Sequence, residues 1–301
     1  MKLGALGEDR LLNRILLNLP PVRGGKVFAG SADDCAIVGI PRGKKYLVLK
    51  TDCVVEGVHF AHGTNASDVG WKAMMRPLSD FAAASAVPQS ALITLIVPQQ
   101  TKVAWVQGLY RGLRGAANRF KVRIVGGETS NTHGPIAISV SVIGFVEKAR
   151  AASRRGGRSG DDLFVTGRLG GALKGKHLKF VARVVESRWL TKNFSIHAMM
   201  DLSDGLGADL PRFARASRVG FDIHLESLPV TRGATIENAI SEGEDYELLF
   251  AVSRRNRTRL EREWRRNFPK VLLTRIGSLN RKSQSADRKL PRGYVHFQRP
   301  S

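Results

Sequence analysis

Two successive patterns of alternating strands and helices, separated by a basic connection rich in Gly and Ser, most constrain how this chain can fold. Up to residue 148, apolar runs rich in Val, Ile and Leu alternate with stretches whose apolar residues recur at helical spacing. Residues 149–160 have the composition of a linker, and the alternation then starts again. The sequence therefore predicts an α/β (α+β) protein of two domains, 1–148 and 149–301, with mixed sheets flanked by helices.

The same patterns locate the individual elements of both domains. In the first domain they predict helices at 3–19, 67–86 and 101–119, and strands at 34–40, 46–52, 91–97, 122–125 and 136–146. In the second they predict strands at 163–166, 197–200, 221–225 and 246–252, and helices at 178–187, 204–217 and 253–267. Pro77 is expected to kink the helix that contains it.

Composition places the chain among ordinary globular proteins, since 43% of its residues are hydrophobic and 25% are charged. It has no run of about 18 apolar residues, so no membrane-spanning helix is expected. The polar N-terminal segment does not have the pattern of a secretory signal. The two cysteines, Cys35 and Cys53, are expected to be free thiols, and the predicted location is the cytoplasm.

The chain is strongly basic, with 48 Lys and Arg against 26 Asp and Glu and a formal net charge of +22. Much of the excess lies between Arg254 and Arg266, where a nucleic-acid partner and a solvated helix face are the two interpretations. No aromatic RNA-binding motif accompanies the arginines, and only 7% of residues are aromatic. We therefore favour the solvated helix face and expect no nucleic-acid partner.

Acidic residues are few, but several lie in short turns rich in Gly, Ser and Thr. These turns are Asp33-Asp34, Thr51-Asp52, Ser79-Asp80, Gly126-Gly127-Glu128 and Asp201-Leu202-Ser203-Asp204-Gly205. Small neighbours let the backbone approach a ligand closely, and clustered carboxylates together with phosphate oxygens are typical ligands of Mg²⁺. The turns predict one Mg²⁺-nucleotide site assembled from distant segments.

Phosphoryl transfer is the chemistry that such a site favours, because it requires metal ions, positive charge and correct positioning. The sequence contains neither a Walker A motif nor the glycine loop and H-R-D motif of protein kinases. A nucleotide site in this chain must therefore be of another kind.

Seven segments, in order from residue 33 to residue 297, resemble the thiamine-monophosphate kinases, within the superfamily of aminoimidazole-ribonucleotide synthetase and selenophosphate synthetase. They are Asp33-Asp34-Cys35-Ala36, Thr51-Asp52 through Glu56-Gly57-Val58-His59-Phe60, Pro77 through Ala83, Gly126-Gly127-Glu128-Thr129, Asp201 through Leu206, Gly243 through Leu248, and Gly293-Tyr294-Val295-His296-Phe297. The resemblance implies a two-domain fold like that of aminoimidazole-ribonucleotide synthetase and dimerisation by pairing of the first domains, with the ATP site near the interface. It implies ATP-dependent phosphorylation of thiamine monophosphate to thiamine diphosphate by direct in-line transfer.

The resemblance also implies a role for individual residues. The implied Mg²⁺ ligands are Asp34, Thr51, Asp52, Asp80, Glu128, Asp201 and Asp204, of which Asp52 and Asp204 are also the expected catalytic pair. Nucleotide contacts are expected from Gly127, Glu128, Arg154 and Ser203, and contacts to thiamine monophosphate from His59, Glu244 and Tyr294. Glu128 stands where the family usually has Asp, which keeps the charge and lengthens the side chain by one methylene. Two further departures, Ala32 and Glu242, replace family glycines and affect loop shape.

Other interpretations of single residues and of the whole chain stay open at this point. Asp201 and Ser203 could cap the following helix, His59 could be a hydrogen-bonded core histidine, and Tyr294 could pack against a C-terminal strand. For the whole chain, the alternatives are another ATP-dependent enzyme of the superfamily, of the purine-biosynthesis type, or a basic nucleic-acid-binding protein.

Overall fold

The computed structural model describes residues 3, 8–17, 27–30, 33–281 and 293. Its helices are α1 (Glu8–Leu17), α2 (Ala66–Ala83), α3 (Val103–Arg119), α4 (Val184–Asn193), α5 (Leu206–Ser217), α6 (Ile236–Ser241) and α7 (Arg257–Asn267). Its strands are β1 (Val27–Ala29), β2 (Ala36–Gly39), β3 (Lys45–Val55), β4 (Val87–Val97), β5 (Arg123–Asn131), β6 (Ala137–Glu147), β7 (Asp161–Thr166), β8 (Ile196–Asp201), β9 (Gly220–Ile223), β10 (Leu248–Ser253) and β11 (Leu273–Asn280).

The first six strands form one mixed sheet, in the order β1-β2-β3-β6-β4-β5. Its neighbours are antiparallel except β4 and β5, which run parallel and are joined by the crossover helix α3. Helix α2 contacts β3 and β6 on the inner face. The outer face keeps apolar side chains in water, such as Leu92 at 49% and Val125 at 62% exposure.

The remaining strands form a five-stranded antiparallel sheet in the order β8-β10-β7-β11-β9. Every residue of β7 is buried, because both faces of this sheet are covered. On one face, Phe164 and Phe250 belong to the same hydrophobic core as the buried residues of α2, the helix that packs against the first sheet. Leu163 and Leu249 on the other face pack with Leu210 of α5 in a second core.

Helix α2 joins the two sheets, since it contacts β3 and β6 as well as α4 and β8. Its interior residues are almost all buried, and it continues through Pro77 to Ala83. Asn65 begins the helix by accepting a hydrogen bond from the Ser67 N–H. A helix shared by both sheets can therefore carry side chains to the space between them.

The two sheets with flanking helices confirm the predicted fold class, and several boundaries differ from expectation. Strand β5 extends to Asn131 and β4 begins at Val87, because each pairs along its length with a neighbouring strand. Helix α6 and strand β11 were absent from the sequence-based prediction. The domain boundary at residue 148 stays a prediction, although the strands of the two sheets fall on either side of it.

In the part of the chain that the structure describes, no helix combines the length and the apolar character needed to cross a membrane. Helix α7 buries Leu260 and Trp264 and leaves Arg262, Arg265 and Arg266 exposed. This arrangement agrees with the solvated helix face favoured for the basic segment.

Candidate active site

Three buried carboxylates from distant parts of the chain meet between the two sheets. One oxygen from each of Asp34, Asp80 and Asp201 lies within 4.8 Å of the others. Asp34 precedes β2, Asp80 lies in the last turns of α2, and Asp201 ends β8. Ser79 Oγ donates a hydrogen bond of 2.6 Å to Asp201 Oδ2. The fold thus brings together three of the aspartates that the sequence marks as metal ligands.

The pKa values of these groups reflect burial and mutual repulsion. Burial and the charge of Asp34 raise the pKa of Asp201 to about 7. Burial also raises the pKa of Asp80 well above its ordinary value, and the positive charge of Lys50 opposes that rise. Carboxylates crowded in this way are stabilised in their ionised form by a nearby cation.

The chain itself supplies cations around the cluster. Lys50 Nζ lies 3.0 Å from Asp80 Oδ1 and 3.9 Å from Asp52 Oδ2. Arg76 lies near the other carboxylate oxygen of Asp52, with Arg76 Nη2 3.8 Å from Asp52 Oδ1. Burial raises the pKa of Asp52. The positive charges of Lys50 and Arg76 outweigh this effect and bring that pKa below its ordinary value.

Arg154 connects the linker to the first acidic turn. Its guanidinium Nε donates to Asp34 Oδ1 at 2.9 Å, and its backbone N–H donates to Asp33 Oδ1 at 2.9 Å. Asp33 Oδ2 is buried without a hydrogen-bond partner among the described residues, and Arg155 Nε lies 3.7 Å away. The carboxylates of Asp34, Asp80 and Asp201 are hard oxygen donors, and this donor set fits Mg²⁺.

The turn that leads from β8 into α5 has its own anchoring. The backbone N–H groups of Ser203 and Asp204 both donate to Asp209 Oδ2, at 3.0 and 2.9 Å. Arg212 forms an ion pair with Asp204. Burial and the charge of Asp204 raise the pKa of Asp209 to about 8. Asp209, in the first turn of α5, thus anchors the turn that precedes the helix, and neither Asp201 nor Ser203 caps α5, whose N-cap residue is Gly205.

A cleft of about 140 Å³ opens beside this turn, between the two sheets. It is lined by Val58, His59, Arg76, Leu173, Ser203, Asp204, Gly243, Glu244 and Tyr246. Four residues predicted for three different roles, His59, Ser203, Asp204 and Glu244, therefore share one cavity. His59 Nδ1 also accepts a hydrogen bond from the Val55 N–H at 3.1 Å, which fixes the turn after β3.

The segment around Glu244 is locked onto the turn after β8. Glu244 and Tyr246 both have left-handed backbone conformations, with φ of 67° and 52°. Their N–H groups donate to the carbonyl oxygens of Ser203 and Leu202, at 2.7 and 2.8 Å. A Cβ on Gly243 would lie 2.5 Å from the Ser203 carbonyl oxygen, so only glycine fits this close approach.

The first sheet separates other predicted residues from the cluster. Thr51 is exposed on the outer face, where its hydroxyl contacts the hydroxyls of Ser139 and Ser141 at 3.2 and 3.0 Å. Gly127 and the exposed Glu128 lie within the edge strand β5, so the prediction of a turn at Gly126-Gly127-Glu128 is wrong. Across the sheet, Asp52 pairs with Val140, Val140 with Ile93, and Ile93 with Gly127. Asp52 and Gly127 are therefore three strand spacings apart, a distance of about 14 Å.

Two sequence positions of interest, Ala32 and Tyr294, lie outside the described residues. Sequence reasoning, in turn, missed several charged residues at the site: Lys50, Lys72, Arg76, His177 and Asp209. The available signal was a charged residue on an otherwise apolar helix face, as for Lys72 and Arg76 in α2.

Comparison with known proteins finds similarity along almost the whole chain. Two family models match it: the AIR synthase related protein N-terminal domain over residues 32–146 and the corresponding C-terminal domain over residues 135–265. The thiamine-monophosphate kinase of Rhodopirellula baltica is 36% identical, with 90% of this chain and 92% of that protein aligned. The thiamine-monophosphate kinase of Aquifex aeolicus is 33% identical, with 99% of this chain and 100% of that protein aligned.

Solved structures extend the similarity to three dimensions. The structure described as AaThiL complexed with AMPPCP and TMP superposes with a TM-score of 0.83 at 32% identity, covering 99% of both chains.

Proposed function

Since this chain belongs to the thiamine-monophosphate kinase family, we propose that it transfers the γ-phosphate of ATP to thiamine monophosphate, giving thiamine diphosphate and ADP. The observation that carries this assignment is the cleft lined by His59, Asp204 and Glu244, beside the buried cluster of Asp34, Asp80 and Asp201. Such an arrangement gives the cleft an end suited to phosphates and an end suited to an organic cation. The related structure that binds AMPPCP, an ATP analogue, and TMP supports the same pair of substrates.

The transfer is direct. A phosphate oxygen of thiamine monophosphate attacks the γ-phosphorus in line, the bond from that phosphorus to the β,γ-bridging oxygen breaks, and ADP leaves with the electron pair. No residue of the chain forms a covalent intermediate in this scheme. The protein contributes positioning and charge: Arg76 and Arg154 lie at the acidic cluster, where phosphate oxygens would accumulate negative charge.

We further propose that Asp34, Asp80 and Asp201, with Asp52 and Asp204 nearby, hold Mg²⁺ during turnover. Bound Mg²⁺ would neutralise phosphate charge. The close approach of three carboxylate oxygens supports this role. Arg154 and Ser203 are proposed nucleotide contacts, and Tyr294 remains a proposed contact to thiamine monophosphate. We also propose a cytoplasmic location, in which the thiols of Cys35 and Cys53 stay reduced.

A second copy of the chain is the proposed partner. Asp52 and Glu128 lie too far apart in one chain to bind the same metal ion, so a metal site that uses both needs a second chain. The outer face of the first sheet, a shallow apolar depression of about 890 Å³ that includes Leu49, Leu92 and Ile143, is the surface proposed to bind that copy. Pairing across this face would let Glu128, together with Gly127, complete the site of the partner.

The function is tested by ADP release with thiamine monophosphate, thiamine or aminoimidazole precursors as acceptor. We expect Mg²⁺-dependent turnover with thiamine monophosphate alone. Asp80→Asn should lower kcat at least about a hundredfold while the protein stays folded. Asp68→Asn, in the first turn of the same helix, is the matched control and should keep normal activity. Turnover with another acceptor only, or equal activity of both variants, would contradict the assignment.

A further inference from the structure

Lys72 is a fully buried lysine in the middle of α2, with 0% of its surface exposed. Lysine is almost never fully buried unless its ammonium group is paired. A buried ion pair is also no more stabilising than a well-packed apolar side chain of similar size. Packing alone therefore does not account for a lysine at this position.

The Lys72 ammonium group connects three segments that surround the cleft. It donates to the His59 carbonyl oxygen at 2.5 Å and to Glu244 Oε2, and it lies 2.8 Å from His177 Nδ1. These partners come from the turn after β3, from the segment before β10, and from the one-turn helix Lys176–Leu178. Two of the three Lys72 donors thus have acceptors, the His59 carbonyl oxygen and Glu244 Oε2. The third faces His177 Nδ1, which can accept from Lys72 or donate to Glu244 but not both.

Glu244 is the carboxylate of this set, and it lines the cleft together with His59. Lys72 and His177 both contact its Oε2, with His177 Nδ1 at 2.8 Å. Within the described part of the chain, no hydrogen bond is found to its other carboxylate oxygen, Oε1. Glu244 can therefore present a fixed, ionised carboxylate oxygen to a ligand. A glutamate without these contacts would populate several rotamers.

The charge state of the pair agrees with that role. Although burial raises the pKa of Glu244, the hydrogen bond with His177 and the charge of Lys72 lower it to about 2. Burial lowers the pKa of Lys72 to about 8, and the charge of Glu244 limits that decrease. At neutral pH the glutamate is ionised and the lysine is still protonated.

We infer that Lys72 is a positioning residue for thiamine monophosphate, which holds Glu244, His177 and the His59 turn in the arrangement that binds the organic part of that substrate. The inference rests on the proposed function. Lys72 itself is covered and does not touch the substrate. Its effect is transmitted through Glu244, whose carboxylate faces a cationic, amino-bearing heteroaromatic ligand.

The main test is Lys72→Met, which keeps the length of the side chain and removes the ammonium group. We expect KM for thiamine monophosphate to rise about tenfold or more, because a charge-assisted arrangement is lost, while KM for ATP changes less than about twofold. Lys179→Met is the matched control, since Lys179 is exposed and lies in the same segment as His177. It should leave both KM values unchanged.

Two further variants separate positioning from general stability. His177→Asn removes one contact of Glu244 from a partly exposed site and should raise KM for thiamine monophosphate several-fold without changing KM for ATP; it decides the question if Lys72→Met does not fold. In a Glu244→Gln background, Lys72→Met should raise KM for thiamine monophosphate much less than it does in the wild type.

Parallel increases of both KM values, an unchanged KM in His177→Asn, or full additivity with Glu244→Gln would overturn the inference. Failure of the wild type to release ADP with thiamine monophosphate would instead overturn the proposed function.

Discussion

At the scale of single residues, Lys50 places an ammonium group between Asp80 of the acidic cluster and the neighbouring Asp52. Its Nζ is 3.0 Å from Asp80 Oδ1 and 3.9 Å from Asp52 Oδ2, so a side chain occupies a position suited to a small cation. The proximity of both carboxylates raises the pKa of Lys50 above its ordinary value despite burial. Lys50 therefore stabilises the ionised cluster before any metal binds.

Lys50→Met should consequently make the fold depend on metal. Without the ammonium group, Asp52 and Asp80 repel each other, and we expect the Tm in EDTA to fall by on the order of 5 °C. Excess Mg²⁺ should restore much of that loss, so the Mg²⁺-induced rise in Tm is larger in the variant than in the wild type. Differential scanning calorimetry measures both effects, with the exposed Lys45→Met in the same strand as control. Equal Mg²⁺-induced shifts in all three proteins would contradict this role.

At the scale of secondary-structure elements, the close packing of α2 against α3 holds the carboxylate-bearing helix in place. A Cβ on Gly70 would overlap the Leu109 carbonyl group, and a Cβ on Gly112 would overlap the Ser67 carbonyl group. The two backbones are therefore in direct contact at glycine positions, and no side chain separates them.

Gly112→Ala should destabilise the protein by about 1–3 kcal/mol, because α2 and α3 must move apart to admit a methyl group. Gly115→Ala in the same helix is the control. Its Cβ would meet the Trp71 ring at 3.8 Å, an ordinary contact, and alanine favours helix, so stability should rise by up to about 1 kcal/mol. Urea unfolding curves measure both. A similar loss of stability in the two variants would mean that the helix contact is not the cause.

Local sequence signals determine how far these elements could be predicted. The acidic residues could be found because each lies in a short segment with small neighbours, but only some of these segments are turns, since Asp52 lies in β3, Asp80 in α2 and Glu128 in β5. The apolar neighbours of Lys72 in α2 mark the position as unusual, but its partner could not be predicted, since Glu244 is 172 residues away in the chain. Strand β11 was missed because Arg275, Gly277 and Asn280 break its apolar alternation, and its extended form depends on pairing with β7 and β9.

At the scale of the whole molecule, the outer face of the first sheet contrasts with the second sheet, whose two faces are both covered. Leu92 and Val125 remain largely exposed on neighbouring strands, which is the type of surface that mediates association. In the proposed function, the separation of Asp52 from Glu128 is the reason for pairing two chains across the same surface.

Leu92→Lys should therefore convert the proposed dimer to a monomer, because it buries a charge in an apolar interface. We expect light scattering coupled to size-exclusion chromatography to give about half the wild-type mass, and kcat to fall in parallel. Leu272→Lys, on an exposed position of the second sheet's domain, is the control and should remain dimeric. A monomeric, fully active wild type would rule out a shared site.

The pairing of the Glu244 segment with the turn after β8 has a consequence for how this protein can change over time. Backbone hydrogen bonds from Glu244 and Tyr246 to Ser203 and Leu202 fix the spacing between the end of the cleft proposed to bind the organic ligand and the end proposed to bind phosphate. Backbone atoms tolerate exchange of most side chains, but the insertion or deletion of one residue in either segment shifts the register. Natural variation here should therefore appear as substitutions at constant length, whereas loops remote from this pairing are free to lengthen and shorten.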